Sequence, residues 1–202
     1  MTMNLLGFDH GNRGIGIRDF QLILPSVICS THVSRRIATE VSAVTFAHQH
    51  GCAIIGDDVA GIDNFFISLS DHPNVSSVLA VGLGCETIQS QELAAKLLDR
   101  NKSTQHCIIQ ESGGVEGTVR AGVAAARDLA AQFPSKKVPL TSLRVGVETG
   151  RETDVVNSLI QLLQGSSYEI EVLQSGGNSA EDRKSTRLNS SHVSESRMPS
   201  SA

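Results

Sequence analysis

Val78-Leu79-Ala80-Val81-Gly82-Leu83-Gly84-Cys85-Glu86 is the stretch on which the fold turns. Four apolar residues in a row, with no polar alternation, describe a strand buried on both faces. Glycines at 82 and 84 then turn the chain, a charged residue follows at once, and from Gln91 to Arg100 the apolar positions Leu93, Leu97 and Leu98 recur at helical spacing. A strand, a turn and a helix thus follow in direct succession.

The same order repeats on either side. Upstream, the run from Phe20 to Cys29 reads as a strand, and Ser30-Thr31 caps a helical pattern carried by Val33, Ile37, Val41 and Val44. Pro25 inside that run marks an edge position, a bulge or an early strand end. After His48-Gln49-His50-Gly51, the short apolar piece Cys52-Ala53-Ile54-Ile55 reads as a further strand, followed by a helix from Gly61 to Ser70 and a turn at Asp71-His72-Pro73-Asn74. Downstream, His106 to Gln110 is a strand, and a helix reaches about Gln132 before Phe133-Pro134 stops it. This alternation predicts an α/β fold over residues 1–140: a mostly parallel, Rossmann-like sheet with helices on both faces. Val138 to Ser142 reads as a linker, and Leu143–Val147, Asp154–Gln164 and Tyr168–Leu173 read as strand, helix and strand, a truncated second α/β segment over 141–181.

Composition narrows the function classes. A chain of 202 residues with 40% hydrophobic and 19% charged residues can bury a core. Scattered basic residues, a net charge of −4 and 3% aromatics argue against a nucleic-acid partner. No apolar run has the length to cross a bilayer and the opening lacks a secretory signal, which predicts no membrane association and a cytoplasmic address. Cys29, Cys52, Cys85 and Cys107 include no CxxC pair and are expected as buried reduced thiols. From Asp182 to Ala202 the text is serine-rich and aperiodic, and its back-translation fits a sequencing-library adapter read in frame. That stretch is expected to be foreign and disordered, and the chain to be a fragment. Removing it takes away four basic and two acidic residues, and the net charge becomes −6.

Several short pieces recur in a fixed order: Gly7-Phe8 with Gly16-Ile17-Arg18-Asp19, Leu24-Pro25-Ser26-Val27 with Cys29, His50-Gly51-Cys52, His72-Pro73-Asn74-Val75, and Val81 to Glu86. Their order resembles the family of altronate dehydratase, galactarate dehydratase and the large subunit of sulfolactate sulfo-lyase. The resemblance implies a lyase that removes water, or sulfite in the sulfo-lyase, from a 2-hydroxy acid, with iron(II) or manganese(II) as divalent metal cofactor. The implied partners are a small acidic sugar, a small N-terminal-type domain or subunit, and further copies of the chain. Two departures stand out: Asp19 where the family usually has Asn after Arg, and Thr149-Gly150-Arg151-Glu152-Thr153 near its Cys-Gly-Gly-Ser-Asp stretch.

Dehydration beside a carboxylate needs a base for the α-proton, a cation for the developing enediolate and an acid for the leaving hydroxyl. Strand ends of a parallel sheet are where such groups gather. His50, Cys85 and Glu86 are therefore the catalytic candidates, and His48, His50 and Cys52 the metal candidates. Arg18 suits a bidentate grip on a substrate carboxylate. Gly113 and Gly114 open a helix whose start suits an anion. Each has a plainer reading: a helix end for the histidines, core packing for Cys52, a surface ion pair for Arg18 and a simple turn for the glycines. A nucleotide-binding oxidoreductase and a non-catalytic scaffold are the rival functions. The first is weakened because Thr87 stands where GxGxxG requires its third glycine. As a fragment, the chain is expected to be inactive alone.

Overall fold

Apolar runs without alternation become the inner strands of a parallel sheet. In the computed structural model, which describes residues 5–11 and 14–140 together with 145–146, 157–158, 161 and 170–171, the elements follow the order β1 (Leu6–Asp9), β2 (Ile15–Gly16), β3 (Phe20–Pro25), α1 (Thr31–Val41), β4 (Val44–Thr45), α2 (Asp58–Ser70), β5 (Val75–Gly82), α3 (Ser90–Asp99), β6 (Ser103–Ile108), α4 (Gly114–Gln132) and β7 (Lys136–Pro139). Strands β4-β3-β5-β6 form a four-stranded sheet whose pairs are all parallel. The α/β class read from the sequence is the observed one.

Both faces of this sheet are covered. Leu22, Leu24 and Val78 pack with Phe66 of α2 and with Leu93 and Leu97 of α3. Ile23, Leu79, Val81 and Cys107 pack with Val33 and Ile37 of α1 and with Val119, Ala126 and Leu129 of α4. Successive residues of β3 thus serve opposite faces, as the pleat requires. Burial of leucines such as Leu93 and Leu97 stabilises the fold by about 1.5–3 kcal/mol each.

Three local readings are corrected. The helix expected through Val44 ends at Val41, because Ser42 adopts a left-handed conformation with φ 56°. Val44 then joins the sheet edge beside Leu22. The strand expected over Cys52–Ile55 is irregular chain; the Cys52 carbonyl is taken by Thr87, and Ile55 is 80% exposed. The supposed linker begins inside β7, which pairs antiparallel with β1 from Leu6↔Pro139 to Asp9↔Lys136, while β2 pairs on the other side of β1. Pro25 ends β3, which lies inside the sheet, not at its edge; a proline is tolerated at that last position, and the next amide, Ser26 N–H, still reaches Val81 O at 3.0 Å.

The compact unit holding these elements runs from Asn4 to Pro139; the other comprises Met1–Met3 and Leu140–Ala202. In the second, β8 (Val145–Gly146) and β9 (Ile170–Glu171) pair in parallel. The rest of the expected segment over 141–181, including Thr149 to Thr153, and the adapter-like stretch 182–202 lie outside the described residues. Among the described residues, no helix is long and apolar enough to cross a membrane.

Candidate functional site

The central strand β3 has β4 on one side and β5 on the other, so the chain leaves β3 in one direction and returns past it in the opposite one. This is a topological switch point, and the crevice beyond the carboxyl ends of such strands is the natural place for a ligand. The loops after β3, β4 and β5 meet there and are tied in a ring. Ser26 Oγ donates to Glu86 Oε1 at 2.8 Å. Ile28 N–H donates to His50 O at 2.9 Å, and Thr87 N–H to Cys52 O at 2.9 Å. Thr87 Oγ1 also bonds Cys52 O at 3.1 Å and accepts from Ile54 N–H at 3.2 Å.

Glu86 is the buried charge of this ring, 3% exposed. Its carboxylate accepts from Ser26, from Leu83 N–H at 3.1 Å and from Gly84 N–H at 2.7 Å. Burying a charge requires such compensation. A Cβ on Gly82 would collide with Glu86 Oε1 and Ser90 Oγ, so glycine at 82 is what admits the carboxylate. The Leu83 and Gly84 amides of the Gly82-Leu83-Gly84 turn, which a dinucleotide pyrophosphate would need, already hold an anion of the protein's own.

His48 is buried among rings, 5.3 Å from Phe66 and 5.6 Å from His50 between centroids. Its Nδ1 accepts from His50 N–H at 2.9 Å, which places the proton on Nε2, a buried atom with no hydrogen-bond partner. In this arrangement neither nitrogen of His48 offers a lone pair to an ion. Burial, and secondarily the nearby His50, lowers its pKa to about 4. His50 itself is exposed at the loop tip.

The thiols divide in a way the sequence did not signal. Only Cys107 is buried, and burial pushes its pKa up to about 12; Cys29 and Cys85 are exposed, Cys52 is half-buried, and all four are free. Cys85 Sγ lies 3.9 Å from Cys52 Sγ. The Cys52 thiol is raised to about 11, first by its hydrogen bond with Cys85, then by burial and by its hydrogen bond with Cys29. One thiol from each of two loops therefore meets at the switch point. Cys29, absent from the sequence-based site, belongs to the Leu24–Cys29 piece already singled out.

Arg18, Gly113 and Gly114 fall elsewhere. Arg18 precedes β3, its N–H donating to Asn74 Oδ1 at 3.1 Å and its guanidinium to Ile17 O at 3.1 Å. The six residues of β3 separate it from the rim, roughly 20 Å at about 3.3 Å per residue. Gly113 and Gly114 have φ of 80° and 75° and make the left-handed entry to α4. The Gly114 amide is already bonded to Ile109 O at 3.1 Å.

The side chains left without a strong internal bond at this rim are soft donors, thiols and the His50 imidazole, while His48 Nδ1 and the Glu86 carboxylate are committed. Thiolate and imidazole match iron; manganese prefers oxygen ligands. Among the described residues, no group of three or more His, Cys, Asp or Glu side chains stands where it could hold a metal ion, so the expected set of His48, His50 and Cys52 does not form a site.

The chain is 28% identical to an altronate dehydratase of Bacillus subtilis (strain 168) over 158 residues and 28% identical to one of Escherichia coli (strain K12) over 157 residues. Each alignment covers 71% of this chain and 31% of the relative, so the chain spans about a third of the length of those relatives. No solved structure matches. The family model for the second domain of D-galactarate dehydratase/altronate hydrolase matches residues 7–133, more than half of the chain, which therefore belongs to that sugar-acid dehydratase family.

Proposed function

We propose that the rim formed by the loops after β3, β4 and β5 is part of a hydro-lyase site at which a sugar acid of the altronate or galactarate type loses water to give a 2-keto-3-deoxy acid. The observation that carries this reading is the ring of ties Ser26–Glu86, Ile28–His50 and Cys52–Thr87, which brings polar residues distant in sequence to one switch point. His50, exposed at the loop tip and held through its backbone N–H by His48, takes the proton from the carbon beside the substrate carboxylate. Glu86 acts as a positioning residue, because its oxygens are occupied in fixing the 83–86 turn. Cys52 and Cys85 line the approach. A divalent ion of the iron(II) or manganese(II) kind, which the family resemblance implies, would supply Lewis-acid stabilisation of the enediolate oxygens. Free thiols at an exposed rim suit a reducing, cytoplasmic setting.

The test is ligand binding followed at the His50 ring by NMR. Galactarate or altronate shifts the His50 resonances and a nicotinamide dinucleotide leaves them unmoved. Tight binding of the dinucleotide with no response to either sugar acid would replace this reading with the oxidoreductase.

A further inference from the structure

We propose that Cys52 and Cys85 are a reversible dithiol–disulfide pair, oxidised by a low-molecular-weight disulfide and closing the approach to the rim when cross-linked. The pairing stands on the geometry; its effect on substrate deepens the dehydratase reading and rests on it.

The two thiols come from different loops whose backbones are fixed. Cys52 lies in the loop after β4, where its carbonyl accepts from Thr87 N–H at 2.9 Å and from Thr87 Oγ1 at 3.1 Å, while Ile54 N–H donates to the same hydroxyl at 3.2 Å. Cys85 lies in the loop after β5, two residues before Thr87 and inside the turn that Glu86 grips through Leu83 N–H and Gly84 N–H. With the backbones held, the sulfurs stand in contact at 3.9 Å. About 2 Å of further approach reaches the bonded separation of about 2.05 Å, and side-chain torsion supplies it. Partners held in this way react as one molecule, which favours the closing step over capture of a second small thiol.

The pair is unequal, and the inequality assigns the roles. Cys85 is exposed and Cys52 half-buried, so an incoming disulfide meets Cys85 first. Cys52 keeps its proton more firmly, its thiol raised to about 11 first by the contact with Cys85 and then by burial, and the thiolate is the nucleophile. An accessible thiol beside a resolving one is the arrangement of redox-sensing cysteines.

The Cys85 thiolate attacks one sulfur of the small disulfide, whose S–S bond breaks; one thiolate leaves and takes up a proton. Cys52 then gives its proton to solvent and attacks the Cys85 sulfur of the mixed disulfide, expelling the second small thiolate, which is protonated in turn. Two protein thiols are oxidised to one disulfide and one small disulfide is reduced to two thiols. The new bond draws the loop carrying His50 against the Cys85 turn and narrows the approach that both thiols line. Excess reductant reverses the exchange, as a transient cross-link requires.

The experiment equilibrates the reduced 202-residue chain with oxidised and reduced glutathione at varied ratio, quenches free thiols with an alkylating agent and maps the peptides by mass. Expected are a chain lighter by two hydrogens, a joined Cys52–Cys85 peptide, and full reversal by dithiothreitol. Cys29→Ser and Cys107→Ala form the same cross-link, Cys52→Ser stops at glutathione on Cys85, and Cys85→Ser loses the cross-link. A parent chain that stays reduced at the most oxidising ratio, keeps glutathione on Cys85, or joins Cys52 to Cys29 would overturn the pairing. The parent's peptide map decides this even where a serine variant folds poorly. Sugar-acid binding is followed separately at the His50 ring by NMR: galactarate or altronate shifts the reduced chain, and the cross-linked chain loses that shift. A shift retained after cross-linking overturns the closing effect. A cross-link in a chain that gives no shift even when reduced supports the pair and counts against the dehydratase reading; a shift in a reduced chain that forms no cross-link does the reverse.

Discussion

The two ends of the parallel sheet handle polar groups in opposite ways. At the amino end, His10 donates from Nδ1 to Pro73 O at 2.6 Å and sets Nε2 3.3 Å from Asp19 Oδ1, while Asn74 Oδ1 accepts from Ile17 N–H at 2.9 Å and Arg18 N–H at 3.1 Å. Burial acts to raise the Asp19 pKa, but the Ser135 and Ser76 hydroxyls and the His10 ring outweigh it and hold the carboxyl below its usual range. Each of these groups is satisfied by a neighbour. At the carboxyl end the backbone and Glu86 are equally well satisfied, yet Cys29, Cys85 and His50 are left facing solvent. Structural ends consume their donors and acceptors; reactive ends fix the backbone and leave selected side chains unspent.

The sharpest way to break that contrast is to remove its central carboxylate. Glu86→Ala strands the Ser26 hydroxyl and the Leu83 and Gly84 amides, and is expected to cost about 4 kcal/mol in urea unfolding. A loss under about 1 kcal/mol would mean that the rim is not held from this point. Next comes acid. The folded state keeps His48 neutral down to about pH 4, whereas the unfolded chain takes up a proton near pH 6.5. Stability is therefore complete above that value and declines between about pH 6.5 and 4, by on the order of 3 kcal/mol, before levelling as the folded form also protonates. His48→Phe should remove most of that slope in pH-dependent thermal melts; an unchanged slope assigns it to other groups. Asn74→Ala probes the amino end, where two amides lose one shared acceptor, and a loss of about 1–2 kcal/mol is expected with sugar-acid binding unaltered. Smallest is Arg18→Ala, expected within about 0.5 kcal/mol of the parent in stability and with no weakening of sugar-acid affinity in calorimetry. A marked loss of affinity there would carry substrate recognition to the amino end and erase the distinction.

Much of the fold was legible because its signals are long and local. The unbroken run Val78–Val81 and the helical spacing of Leu93 and Leu97 survive in the structure as a buried strand and a packed helix. Cys52–Ile55 misled because four apolar residues do not distinguish a strand from a loop whose backbone is captured from outside, here by Thr87. The short strands β1, β2 and β7 carry no period-two apolar pattern; Lys136 and Lys137 lie in one of them, and pairing alone defines them. At the site, Glu86 was legible as a charge beside a buried strand, though not that its oxygens would turn inward. The approach of Cys52 and Cys85 from separate loops could not be read from their spacing of 33 residues, since only the strand order brings them together.

The pairing of β1 with β7 sets Leu6 directly opposite Pro139, so the first and last strands of the Asn4–Pro139 unit lie side by side. A body whose entrance and exit share a doorway behaves as a cassette: it can be spliced into a larger polypeptide at a single seam, or joined head to tail into a ring, without reshaping the flanking chain.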